Sequence, residues 1–319
     1  MVEVQLVKRQ NITNPKFTIV IPIRDRYGAR LRNCLRSIKL QTVEEVEIII
    51  ADFGSDKDKH QQLRKTAESF DCTIYYYPEQ PIWSFSVASN LGIRRSQAPY
   101  VATLDVDCVL DRNAVEQTLQ RFEQSKEILV VSRVCHCPQD LDIGSIELPR
   151  DYKILKEQCC PPRKWGIGGF MCASHKWWFK VRGYDERFKK WGGADDDVAK
   201  RARLDKLRIE RLSDVRGCNI YHQWHEKSYP RRTSGSYQQK NLEFYRRTQT
   251  VVRNNKFWGL IERPKKEKEE VVDPAQSPKP KPKPRSKPKR VKKPSPKPRR
   301  REPHGAKARI DPKRRRNES

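Results

Sequence analysis

Two groups of acidic residues in this chain have types and spacings that could do chemistry. Trp191-Gly192-Gly193-Ala194-Asp195-Asp196-Asp197 sets three consecutive carboxylates behind an aromatic ring and a glycine pair, and Asp105-Val106-Asp107 closes an apolar run upstream. Two carboxylates one residue apart at a strand end can face one pocket. There they hold a hard cation such as Mn²⁺ or Mg²⁺ with coordination positions left for phosphate oxygens. A diphosphate leaving group concentrates negative charge, so a cation there eases its departure. A carboxylate of the second group, within hydrogen-bond reach of a hydroxyl, takes its proton as that oxygen attacks. Metal-bound leaving group on one side and base on the other is the chemistry of sugar transfer from a nucleotide donor.

Roles follow from position. Asp105 and Asp107 are candidate metal ligands, with Asp105 also able to reach a ribose, and Ile220-Tyr221-His222-Gln223-Trp224-His225 supplies imidazoles downstream. His222, after a short apolar run, is the preferred third ligand and His225 the reserve. A histidine beside Trp and Tyr is also a common packing residue. In the second group Asp195 is the candidate base and Asp196 an acceptor-hydroxyl ligand. Trp191 offers a face for a sugar ring, and Gly192-Gly193 lets the backbone approach substrate. Capping is the structural alternative for this group, since acidic residues suit the positive end of a helix, but a cap needs one Asp. Cys135-His136-Cys137 with Cys159-Cys160 admits a zinc site, against which buried thiols are the simpler reading because the spacing lacks the usual ligand loop.

The elements that must position these groups alternate. Apolar runs at 17–23, 47–52, 73–77 and 100–104 read as strands, and helical patterns at 30–41, 58–70 and 85–95 lie between them. This order predicts an α/β fold whose mostly parallel central sheet carries helices on both faces, with ligands beyond the carboxyl ends of the strands. Arg24-Asp25-Arg26, Asp52, Asp105 and Asp107 all stand at those ends. Further on come a helix to 124, a strand at 128–134, a loop at 135–164, a Trp-rich helix at 175–181, and a helix from the Asp cluster to about 206.

Composition divides the 319 residues. Residues 1–16 read as an N-terminal extension, 17–264 as one domain (a donor half at about 17–111 and a second half at 112–264), and 265–319 as a Pro/Lys/Arg-rich tail. From Pro274 onward 19 Lys/Arg oppose 3 Asp/Glu, so this stretch carries +16 of the total +28 and, with 11 Pro, is expected to be disordered. It could bind an anionic membrane surface or nucleic acid, though it has no aromatic residue for base stacking, or act only as a solvated extension. No window approaches a membrane span, the first residues lack a leader's apolar core, and nine cysteines without a framework pattern fit a reducing compartment. A cytoplasmic protein, soluble or peripheral at a membrane, is the expectation.

Thr18-Ile-Val-Ile-Pro-Ile-Arg-Asp-Arg26, Asp105-x-Asp107, Gly168-Gly169-Phe170 and Gly183-Tyr-Asp-Glu-Arg-Phe followed by Trp191-Gly-Gly-x-Asp-Asp-Asp197 resemble an inverting family 2-type glycosyltransferase of GT-A fold. The second half is similar to the catalytic region of β-1,4-galactosyltransferases and chondroitin-type polymerases. The resemblance covers about residues 17–254 and does not reach the tail. It implies a UDP-sugar donor, a glycan or lipid-linked acceptor, and Mn²⁺ (or Mg²⁺). Pro22, Arg24, Arg26, Asp52, Asn90, Asp105, Gly168 and Gly169 would line the donor site. Asp107 and His222 would bind metal, Asp195 would be the base, and Trp191, Gly193 and Asp196 would meet the acceptor. The family usually has Glu where this chain has Ala194. That departure leaves room for a sugar-binding module without turnover.

Overall fold

The computed structural model describes residues 3–159, 167–212, 218–226 and 231–260, with backbone alone for 231–236. The chain divides into two units, Met1–Pro264 and Lys265–Ser319. The disordered tail expected at 265–319 lies outside the described residues, as does Cys160.

Strand β2 (Phe17–Ile23) is buried along its whole length, as a strand covered on both faces must be. Its odd positions Phe17, Ile19, Ile21 and Ile23 enter one apolar cluster, and Val20 enters another on the opposite face. The first cluster receives helix α1 (Ala29–Lys39) through Leu31, Cys34, Leu35 and Ile38, a helical stripe of spacing three and four. The second receives α3 (Phe85–Ile93), α6 (His175–Val181) and α7 (Ala194–Leu204) through Leu91, Trp178 and Val198.

Around β2 lie β3 (Val46–Phe53), β4 (Thr73–Tyr77) and β5 (Tyr100–Leu104), all parallel, with α2 (Lys57–Ala67) between β3 and β4 in the chain. The full sheet has eight strands in the order β1-β4-β3-β2-β5-β9-β7-β10, where β1 is Gln5–Lys8, β7 Ile128–Val131, β9 Phe170–Ser174 and β10 Arg208–Arg211. It is mixed rather than uniformly parallel. β9 runs antiparallel to both β5 and β7, and β1 antiparallel to β4. The segment 1–16 therefore includes an edge strand of the domain. At four residues, with Leu6 exposed and only Val7 packed on the core, this edge strand is too short to announce itself in the sequence.

The reversal at β9 matters for the site. Leu104 pairs with Phe170, so the beginning of β9 sits at the edge where the parallel strands end, and it delivers Gly168-Gly169 beside Asp105. A second sheet of three strands, in the order β6-β11-β8, forms from β6 (Cys108–Leu110), β8 (Val134–His136) and β11 (Ile220–His222). Helices α4 (Ala114–Gln124), α5 (Tyr152–Gln158) and α8 (Arg231–Arg246) complete the described elements. Among the described residues no helix is long and apolar enough to cross a membrane.

Candidate active site

Asp107 stands immediately before β6, and His222 ends β11. The antiparallel register His222↔Cys108 brings them together, with the Gln223 amide donating to the Asp107 carbonyl at 2.8 Å. His222 Nε2 lies 3.5 Å from Asp107 Oδ1, and His225 Nε2 lies 2.8 Å from Oδ2. The turn between the two histidines is held by Gln223, buried to 1% exposure, whose side chain bonds the Arg30 carbonyl at 3.1 Å and Asn33 at 2.9 Å. Gln223 and Asn33 were invisible as site residues in the sequence. Their role depends on two segments far apart in the chain meeting.

Asp107, His222 and His225 form a group whose ligand atoms all lie within 4.8 Å of one another. The donor set fits a divalent metal. His225 Nδ1 donates to the Glu226 carbonyl at 2.7 Å; a carbonyl only accepts, so that nitrogen carries a proton and Nε2 is the atom turned to Asp107. Asp107 Oδ1 is buried and has no hydrogen-bond partner. Burial pushes the Asp107 carboxyl up, but the contact with His225 and the proximity of His222 outweigh it and hold the group below its usual value. Burial pulls the His222 imidazole down, keeping it neutral as a ligand must be, and the bond to Asp107 raises His225. The reserve histidine thus stands with the preferred one. Asp105 is outside this group; burial, with Asp107 and Asp195 nearby, raises its carboxyl well above the ordinary value.

Gly168 and Gly169 connect the two acidic groups. The Asp105 amide donates to the Gly169 carbonyl at 3.0 Å. Gly169 has φ +89°, and a Cβ there would stand 2.5 Å from Val134; a Cβ at Gly168 would meet Asp195 Oδ2 at 3.0 Å. At Gly169 only glycine fits, and there the start of β9 passes between the Asp107–His222–His225 group and Asp195.

The three consecutive aspartates occupy the first turn of α7, where each residue advances about 100° around the axis. They point to three different places. Asp195 faces Gly168 and lies near enough to the Tyr184 hydroxyl to be influenced by it. Burial, then neighbouring Asp196, push its carboxyl up to about 7, with Tyr184 opposing. Asp196 is exposed. Asp197 is buried, accepting from Arg201 Nε at 2.7 Å and from the Thr248 hydroxyl at 2.5 Å, with Arg201 equally buried. This last pair is structural.

Trp191 is 70% exposed, and its loop is pinned by Asn241 of α8, which donates to the carbonyls of Lys189, Trp191 and Gly192. Gly193, φ +86°, is the N-cap of α7, and Ala194 packs on the apolar cluster beneath that helix. Arg24 and Arg26 lie half-exposed just past the end of β2. Three other expected donor residues are buried in this structure. Pro22 is buried within β2. Asp52 is fully buried, its oxygens engaged by His60 at 2.8 Å and the Ser55 amide at 3.2 Å. Asn90, also fully buried, bonds Tyr184 N at 2.7 Å, Tyr184 O at 2.8 Å and Glu186 at 3.0 Å. The polar side-chain atoms of Asp52 and Asn90 are thus bonded to neighbouring residues. The Cys137 and Cys159 sulfurs meet at 2.6 Å, and among the described residues no cysteine belongs to a metal-ligating group.

Comparison with known proteins fits this geometry. A family model described as Glycosyl transferase family 2 matches residues 18–187, and one described as N-terminal domain of galactosyltransferase matches residues 155–226. Chondroitin synthase of Escherichia coli is 22% identical over 248 residues, 67% of this chain and 36% of that protein. Glycosyltransferase GlyA of Streptococcus pneumoniae is 28% identical over 122 residues, 38% of this chain and 17% of that protein. The chain thus spans about a third or less of the length of these relatives. A crystal structure of GalNAc-T7 with UDP, GalNAc and Mn²⁺ shares the fold, with a TM-score of 0.55 and 14% identity over 74% of this chain and 48% of that one. These likenesses carry the GT-A architecture expected from the motifs.

Proposed function

The chain belongs to glycosyl transferase family 2, and from that premise we propose that it moves a hexose or N-acetylhexosamine from a UDP-sugar to a hydroxyl of a glycan or lipid-linked acceptor, inverting the anomeric centre with a divalent metal. The observation that carries this reading is one carboxylate held ionised between two imidazoles and, across Gly168-Gly169, a second whose carboxyl is raised to about 7.

Asp107, His222 and His225 would hold the metal. Two nitrogens and one oxygen favour Mn²⁺ over Mg²⁺, which prefers an all-oxygen shell. When bound, the cation neutralises charge on the donor diphosphate. Arg24 and Arg26 lie on the same edge and add positive charge toward the phosphates. Trp191 supplies a flat apolar face for the acceptor ring, and Asp196 accepts from its hydroxyls. Asp195 takes the proton of the attacking hydroxyl; a carboxyl poised near neutrality is a better base than one near 4. Attack from the Asp195 side, opposite the departing diphosphate, inverts the centre.

The test is UDP release from a panel of UDP-sugars in the presence of Mn²⁺, with and without acceptor oligosaccharides. Acceptor-stimulated release by the wild type, lost in Asp195→Asn, is expected; equal inertness of the two proteins across the panel overturns the reading.

A further inference from the structure

Arg30, the second residue of α1, carries a cation that the described residues leave unanswered. It is half-buried, and its Nε is buried without a hydrogen-bond partner. The Gln223 side chain bonds its carbonyl at 3.1 Å, and the Gln223 amide bonds the Asp107 carbonyl, so its backbone is fastened to the turn that carries both metal-site histidines. Asp107, the carboxylate whose charge reaches it, is engaged with His225 and His222. No acidic residue occupies the first turn of α1. Burial, with Arg26 beside it, pulls the Arg30 guanidinium below its usual value, and only Asp107 opposes this. A desolvated guanidinium beside a second arginine is satisfied by a multiply charged anion.

We propose that Arg30 contacts the diphosphate of the nucleotide-sugar donor directly, as a cationic contact separate from the metal; this rests on the donor reading above. As the anomeric C–O bond breaks, its electron pair moves onto the departing phosphate oxygen. The acceptor oxygen bonds the anomeric carbon, and its proton passes to Asp195. Arg30 N–H groups face the charge gathering on the phosphate, so Arg30 is a catalytic residue as well as a binding one.

The experiment is calorimetric titration of the full chain with UDP and with uridine, both with Mn²⁺, for wild type, Arg30→Gln and Arg30→Lys. Arg30→Gln is expected to weaken UDP about 10- to 100-fold while uridine affinity stays unchanged, and Arg30→Lys to keep part of the UDP affinity as a point charge. Unchanged UDP affinity in Arg30→Gln overturns the assignment. So does a parallel loss for UDP and uridine, which marks a structural role. A wild type that binds no UDP overturns the donor reading and this contact with it.

Discussion

Asp107 and Asp195 stand at the same strand edge, on opposite sides of a glycine pair, and burial pushes both carboxyls up. They end in opposite states. Asp107 meets His225 at 2.8 Å and His222 at 3.5 Å, and these imidazoles hold it ionised. Asp195 has Asp196 beside its buried carboxyl, opposed only by nearby Tyr184, and it rises to about 7. Burial alone therefore does not decide ionisation; the partner does. On the proposed reading, the first acid stays charged to bind a cation and the second exchanges a proton.

The largest expected effect breaks the charged side of this comparison. Asp107→Asn removes the carboxylate of the proposed metal group, and Mn²⁺-dependent UDP release should be lost entirely, while EDTA should have the same effect on the wild type and added Mn²⁺ should restore only the latter. Next comes the proton-exchanging side. Asp195→Asn should lower kcat about a thousandfold, inside the range of general-base loss, with Mn²⁺ and UDP affinity unchanged. If metal affinity falls as well, the two acids are not separate devices.

Asp197 sharpens the contrast, being a carboxylate from the same turn that does neither job. Asp197→Ala strands Arg201, buried to 0% exposure, and should cost about 3–5 kcal/mol in urea unfolding. A smaller change follows for pH. Asp195 acts as a base only when ionised, so kcat/KM should climb as pH rises through about 7. Tyr184 lowers that carboxyl, so Tyr184→Phe should move the limb to higher pH. A limb that stays in place removes Tyr184 from the account. Smallest is Trp191→Ala: acceptor KM should rise about three- to tenfold, and stability should change by less than about 0.5 kcal/mol, since the ring is 70% exposed.

How much of this was legible before folding differs between elements. The strands 17–23, 73–77 and 100–104 and the helix 175–181 stood out because their apolar periodicity is local, and the structure has them at the same bounds. The edge strand Gln5–Lys8 and the antiparallel course of β9 were not visible, because neither has a pattern that distinguishes it from a loop or a parallel strand. Asp105-x-Asp107 and Asp195-Asp196-Asp197 were conspicuous as clusters. Of the three residues that come together, Asp107 and His222 were singled out and His225 was held in reserve, while Asp105, also expected as a ligand, lies outside the group. Asp52 and Asn90 had the right residue types for ligand contact, but nothing local says that His60 and Tyr184 consume their polar atoms.

The sequence by itself determined the alternation of strands and helices, the edge at which polar residues gather, and the presence of two acidic groups, because hydrophobic period and strand-end chemistry are written in neighbouring residues. Only the tertiary structure decided which acid keeps its charge, which holds its proton and which is spent on packing. Those outcomes rest on surroundings distant in the chain: His225 beside Asp107, the burial that raises Asp195 against the opposing Tyr184, and Thr248 on Asp197. Ionisation is set by what surrounds a group in space, and three adjacent aspartates acquire three environments only when a helix turns them apart.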